Sequence, residues 1–130
     1  MEKIKQFLSV NDHFARHAGI ELMELSAGYA KAQMVITDCH LNGVKLVHGG
    51  AIFTLADFAF AAASNSHGKI AVGITSNITY MKPAISGILF AEAKELLLSN
   101  RLGNYVVNIT NEQNELVAVF QGMAYRKQSR

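Results

Sequence analysis

Between Gly49 and Ser66 the chain reads GGAIFTLADFAFAAASNS, and from Ala51 to Ala63 only Thr54 and Asp57 interrupt the apolar run. The segment is too long for a strand, and its alanines favour a helix. Its uninterrupted apolar length of about 13 residues falls short of the roughly 20 needed to cross a bilayer. A helix this apolar must be buried, so the rest of the chain has to wrap around it.

The flanking pattern supplies the wrapping. MEKIKQFLSVNDHFARHAG has helical spacing, with Ile4, Phe7 and Leu8 on one side, then Phe14 and Ala15, and Gly19 as a stop. IELMELSAG and YAKAQMVIT read as strands joined by a turn at Ala27-Gly28. After the loop DCHLNGVKLVHGG and the long helix come four strand-like runs: IAVGITSNITYM, GILFAEAKELLL, GNYVVNITNE and ELVAVFQGMAYR. Their separators KPAIS, SNRL and QN are hairpin-sized. The order predicts an α+β fold, a mostly antiparallel sheet around one central helix, in a single domain over residues 1–130.

Composition excludes several function classes. Half of the residues are hydrophobic and only one is proline, which argues against disorder. A net charge of +2, scattered along the chain, is too weak for a nucleic-acid partner, and Arg126, Lys127 and Arg130 read as a short solvated tail. The lone Cys39 permits no internal disulfide framework. With no signal peptide and no spanning segment, a cytoplasmic protein without membrane contact is expected.

Asp57 is the anomaly. A charge inside an apolar helix costs several kcal/mol unless it is paired, solvated or neutralised. On the helical wheel Gly50, Thr54, Asp57, Ala61 and Ser64 form one stripe of small or polar residues, and Ile52, Leu55, Phe58, Ala59 and Ala62 form the core side. Asp57 therefore faces a cleft or another subunit, with Phe53 and Phe60 beside it. Two roles are open to it: capping a neighbouring loop or pairing with a basic side chain across an interface, or general base catalysis with a pKa raised by the phenylalanines.

HGG, residues 48–50, places Gly49 and Gly50 at the helix start, where backbone N–H groups are unpaired and the dipole is positive. Such groups stabilise an oxyanion, although Gly-Gly also simply makes a tight turn. Eight residues separate Gly49 from Asp57, roughly 12 Å along the axis at 1.5 Å per residue. One carbonyl cannot touch both, so a site using both requires a second chain.

NGVKLVHGGAIFTLADFAFAAASNSHG followed by SNITYMKPA resembles the hotdog-fold acyl-CoA thioesterases of the phenylacetate-degradation type. The likeness runs from about Phe14 to Tyr125 and is carried by the spaced Asn, His-Gly-Gly and Asp. The resemblance implies a sheet wrapped around a long helix, homodimers with shared sites, and commonly homotetramers. It implies an acyl-CoA substrate, aryl-acetyl or medium-chain, hydrolysed by water with no metal and no separate cofactor. It gives Asp57 the role of base or nucleophile and makes the Gly49 N–H the group that polarises the carbonyl. Asn42 would hold the carbonyl or the water, and His48 would steady the loop near the sulfur. Gly50, Thr54, Phe53 and Phe60 would line the substrate. Apart from the resemblance, Lys82 and Arg101 are candidates to meet the coenzyme A phosphates, with ordinary solvated surface charge as the alternative. The serine or threonine that orients the water in related enzymes falls at Gly73 here, and Thr75, taken as lying on the same strand face, is its substitute.

Two alternatives differ in class. A dehydratase of 3-hydroxyacyl thioesters would bring a proline-rich catalytic loop, which this chain lacks. A non-catalytic acyl-CoA sensor gives Asp57 nothing to do. His13 and His17, four apart on a helix, form a metal pair without a third ligand, and Cys39-His40 would point apart.

Overall fold

The computed structural model describes residues 1–127, so Arg130 of the basic tail lies outside the described residues. Two short helices, α1 (Glu2–Asn11) and α2 (His13–His17), precede strands β1 (Ile20–Ser26) and β2 (Tyr29–Val35). The long helix α3 (Gly49–Asn65) is followed by β3 (Ala71–Tyr80), β4 (Ile88–Leu98), β5 (Leu102–Thr110) and β6 (Leu116–Arg126). The strands form one antiparallel six-stranded sheet in the order β1-β2-β4-β5-β6-β3, with α3 packed on one face. This is the hotdog arrangement.

Small residues set the depth of that packing. Ala56, Ala59, Ala62 and Ala63 of α3 are fully buried, as are Ala30, Ala32, Ala91 and Ala93 beneath them on β2 and β4. Alanine on alanine lets the helix lie close to the sheet, and larger residues fill the space around this contact. All five residues assigned to the core side of the helix are buried.

The opposite stripe is open only over its first half. Gly50 and Asp57 are exposed, Thr54 and Ala61 are half-buried, and Ser64 is buried. The C-terminal end is closed by the β1–β2 turn, where the Gly28 N–H donates to Ser66 Oγ at 2.8 Å. His67 Nε2 meets Glu95 Oε1 at 2.7 Å, and the Tyr105 hydroxyl donates to the same oxygen at 2.7 Å. Desolvation raises the Glu95 pKa, but these two hydrogen bonds, together with the electrostatic pull of His67 and Arg126, outweigh it and hold the carboxyl below its usual value.

Several expectations are corrected. Phe60 does not flank the open stripe: it is 2% exposed, with its ring centroid 5.6 Å from Tyr105 and 5.5 Å from Phe120. Gly73 and Gly122 make the room, since a Cβ on either would lie 2.9 Å from the Phe60 ring. The N-terminal helix is split at Asp12, which caps α2 by accepting from the Ala15 N–H at 3.0 Å. Helix α1 buries no residue, and Phe7 and Phe14 are 64% and 67% exposed. The KPAIS separator is a crossover and not a hairpin, because β3 pairs with β6 while β4 pairs with β2. Arg126 is tied down as well, its side chain donating to the Ser99 carbonyl at 2.7 Å.

Strand β3 lies at the sheet edge with Val72 and Ile74 exposed, and it carries a bulge between Gly73 and Thr75. The bulge reverses the expected side-chain facing. Gly73 pairs with the inward Ala124 and Ser76 with the inward Gly122, whereas Thr75 pairs with Met123 on the outer face. Thr75 thus points away from α3, and Ser76 presents the hydroxyl that shares the face of Gly73.

Phe60→Ala is expected to lower stability by about 3–5 kcal/mol in urea unfolding, as for large aromatic truncations in a core. A loss below about 1 kcal/mol would return Phe60 to the open face.

Candidate active site

The loop before α3 is fixed by its own backbone. The Val47 N–H donates to the Ala84 carbonyl at 2.8 Å and the His48 N–H to the His40 carbonyl at 2.7 Å. Asn42 Oδ1 accepts from the N–H groups of Val44 and Leu46, both at 3.0 Å. Only the Nδ2 of Asn42 is then left to meet a ligand oxygen.

His48 is the N-cap of α3, and its Nδ1 accepts from the Gly50 N–H at 2.8 Å. A neutral ring accepting there carries its proton on Nε2. Gly50 has to be small, because a Cβ would stand 2.9 Å from that ring nitrogen. The bond also removes the Gly50 amide from the expected substrate contacts. The Gly49 N–H, in contrast, has no acceptor among the described residues. It is the free donor at the positive end of the helix.

A surface cavity of about 370 Å³ opens at this point, lined by Asn42, Gly49, Tyr80 and Lys82 together with apolar residues such as Ile52 and Pro83. Asn42, Gly49 and Lys82 are thus brought together as expected. Tyr80 was missed, although its place two residues after Ile78 puts both on the inner face of β3. Lys82 is not a free cation: its Nζ lies 3.3 Å from Glu115, whose carboxyl is held below its usual pKa by Asn111 and by Lys82. Arg101 is exposed and does not line the cavity.

Asp57 is not among the residues lining this cavity, in keeping with its separation from Gly49 along the helix. It has no hydrogen-bond or ion-pair partner among the described residues, which removes the purely structural role within one chain. It is exposed on one side, but the protein packed around the rest of the carboxyl desolvates it. That desolvation, with the charge of Asp12 added, raises its pKa above the ordinary carboxylate value. Phe53 is half-buried beside the open stripe, its ring edge-on to Phe120 with centroids 5.4 Å apart. The Thr54 hydroxyl donates to the Gly50 carbonyl at 2.7 Å, so its proton is spent on the helix and only its oxygen can meet a substrate.

No group of three metal-binding side chains occurs among the described residues. His13 and His17 are exposed. Cys39 is exposed, whereas the ring of the buried His40 turns inward to the Ala18 carbonyl at 2.7 Å.

The model of the thioesterase superfamily matches residues 45–118. The chain belongs to the thioesterase superfamily. A protein of Archaeoglobus fulgidus is 45% identical to it over 97% of this chain and 82% of its own length. The acyl-coenzyme A thioesterase PaaI of Escherichia coli K12 is 38% identical over 89% of this chain and 84% of its own. The solved structure of the E. coli PaaI protein, from the phenylacetic acid degradation operon, matches with a TM-score of 0.95 at 34% identity, covering 98% of this chain and 94% of that one. Among thioesterases, then, this enzyme is of the hotdog, PaaI-like type.

Two outcomes test the state of Asp57 in this thioesterase. If it must be ionised to act, kcat/KM rises with pH through its raised pKa, and Asp12→Asn moves that rising limb to lower pH. An unmoved limb would show that the Asp12 charge does not reach it. The second outcome concerns stability. A carboxyl whose folded pKa exceeds its unfolded one binds more protons when folded, so stability is lost as pH rises from the ordinary carboxylate value through the raised one. Asp57→Asn is therefore expected to unfold at an equal or higher urea concentration than wild type at neutral pH. A clearly lower midpoint would mean that the ionised form is stabilised by a partner.

Proposed function

We propose that the protein hydrolyses acyl-CoA thioesters to a free carboxylic acid and coenzyme A, with aryl-acetyl or medium-chain acyl groups as substrates. The observation that carries this reading is the contrast within α3. A free N–H stands at Gly49, and an unpartnered, partly desolvated carboxyl stands about two turns away at Asp57. Each is half of an acyl-transfer site.

A second copy supplies the other half. The outer edge of β3 is unpaired in the single chain, and an exposed strand edge is a template for another strand. Pairing two β3 edges in a homodimer would set the Gly49 end of one α3 against Asp57 of the other. Pairing of dimers into a homotetramer, and a cytoplasmic setting, belong to the same reading.

In this reading the thioester oxygen accepts from the Gly49 N–H and from Asn42 Nδ2. Water attacks the carbonyl carbon as Asp57 of the other chain takes its proton. The charge developing on oxygen is met by the Gly49 N–H and the helix N-terminus. The tetrahedral intermediate then expels the thiolate by breaking the C–S bond, and the proton on Asp57 is delivered to sulfur. His48 Nε2–H is available beside the leaving group. The whole cycle runs on side chains and water, without a metal or separate cofactor. Phe53 is the aromatic group left to flank an acyl chain once Phe60 is assigned to the core, and the phenylacetic acid operon of the E. coli relative favours an aryl-acetyl group.

Thiol release from a panel running from acetyl- to long-chain and phenylacetyl-CoA is the test. Asp57→Asn is expected to lower kcat about 10²- to 10⁴-fold, the range typical of removing a general base. Equal rates for mutant and wild type would sink the mechanism, and binding without release would favour a sensor. Mixing Asp57→Asn with Gly49→Val tests sharing. Random exchange puts one intact site in half of the dimers, so roughly a quarter of wild-type activity should return. No recovery despite proven subunit exchange would place the whole site in one chain.

A further inference from the structure

The free donor at Gly49 is useful only if it holds one direction, and a glycine at a helix start is the softest point in the backbone. Two peptide planes meet at its Cα. The first contains the His48 carbonyl and the Gly49 N–H. That carbonyl accepts from the N–H groups of Ala51 and Ile52 at 2.9 and 3.2 Å and so points along α3. In a trans peptide the N–H points opposite to the C=O, so the Gly49 N–H is directed away from the helix.

The second plane contains the Gly49 carbonyl, and Tyr80 holds it. The Tyr80 hydroxyl donates to this oxygen at 2.9 Å across the gap between β3 and α3. The ring lies against the same residue: a Cβ on Gly49 would stand 3.2 Å from both Cζ and the hydroxyl oxygen. Tyr80 is 50% exposed and lines the cavity with Gly49, so it is not a core residue that happens to touch the helix. Its one side-chain hydrogen bond among the described residues falls on the residue that carries the free donor.

We infer that Tyr80 is a positioning residue: its hydroxyl fixes the Gly49 peptide so that the neighbouring N–H stays aimed at the substrate carbonyl. The inference rests on the proposed thioester hydrolysis, and it deepens that reading by tying the oxyanion donor to the edge strand β3. Because β3 is the edge offered to a second copy, Tyr80 also links the seam between chains to the alignment of the donor.

The test compares wild type and Tyr80→Phe, which keeps the ring and removes the one bond. With acyl-CoA substrates kcat/KM is expected to fall about three- to tenfold, the worth of one hydrogen bond. The acid limb of the pH profile stays where it is, because Asp57 is untouched. Two non-hydrolysable analogues separate this from a general effect on structure. One replaces the thioester sulfur by CH2 and keeps the carbonyl; the other is a thioether that lacks the carbonyl. Tyr80→Phe is expected to weaken binding of the ketone analogue and to leave the thioether unchanged. Equal affinity of wild type and mutant for both, or equal weakening of both, would overturn the positioning role. A wild type that binds the analogues but turns over no thioester would sink the hydrolytic reading alone, and the analogue pair would still decide for or against Tyr80. A wild type that binds neither analogue overturns both. A double-mutant comparison adds a further check: if Tyr80 acts through Gly49, the effects of Tyr80→Phe and Gly49→Ala on kcat are less than additive, and full additivity would count against it.

Discussion

The close contact between an alanine face of α3 and an alanine face of the sheet is what the rest of the molecule depends on. Ala56, Ala59, Ala62 and Ala63 rest over Ala30, Ala32, Ala91 and Ala93, all without exposed surface. Side chains this short leave no slack for the helix to roll. Rotating α3 by one residue, about 100°, would drive Phe58 or Phe60 into the alanine layer. Asp57 is consequently held on the opposite side without a hydrogen bond or ion pair of its own, among the described residues, to keep it there. The unfavourable placement of the acid is sustained by packing elsewhere, the usual way for a reactive group to be held against its own preference.

The two ends of the helix are treated differently, and the chemistry follows the difference. At the C-terminal end Ser66, His67 and the β1–β2 turn close over the helix, and every polar group named there has a partner. At the N-terminal end the cap is made by a ring nitrogen that takes the Gly50 amide and leaves the preceding one, at Gly49, free among the described residues. A serine or aspartate cap would satisfy the helix equally well. The histidine cap does so while keeping a second ring nitrogen, Nε2, that makes no hydrogen bond among the described residues.

Much of this was legible in the sequence because it is local. The element order, the buried helix and the outward direction of Asp57 all follow from periodicities of 3.6 and 2 residues. So does the separation of Gly49 from Asp57, on which the expectation of a second chain rests. The failures share a cause, since each depends on a residue far away in the chain. Phe60 is drawn inward by a hole made of Gly73 and Gly122, which no helical wheel shows. Thr75 is turned outward by a bulge whose partner strand is β6. The crossover after β3 looks like a hairpin by length, and only the pairing of β3 with β6 distinguishes it. The spending of the Gly50 amide and the Thr54 proton on neighbouring groups is local, but it depends on rotamers that the sequence leaves open. Asp12 is the exception: an aspartate three residues before Ala15 is a readable N-cap signal that the helical spacing obscured.

Placing the base and the oxyanion donor about two turns apart on one rigid helix has a consequence for control in the proposed reaction. Neither group can drift toward the other, because the same alanine contact fixes both. If Asp57 is the base and Gly49 the donor, a lone chain holds an acid without its electrophile and a donor without its base, and local motion does not complete the site. In that reaction association would supply what folding withholds, so catalytic competence would follow the dimerisation equilibrium and not only the folding one. It also explains why a partly desolvated carboxyl can persist in the single chain: the side of Asp57 that remains open to water is the side that a second chain and a substrate would cover. Covering it would raise its pKa further and strengthen it as a base, so the acid becomes most reactive only where a thioester is present to be attacked.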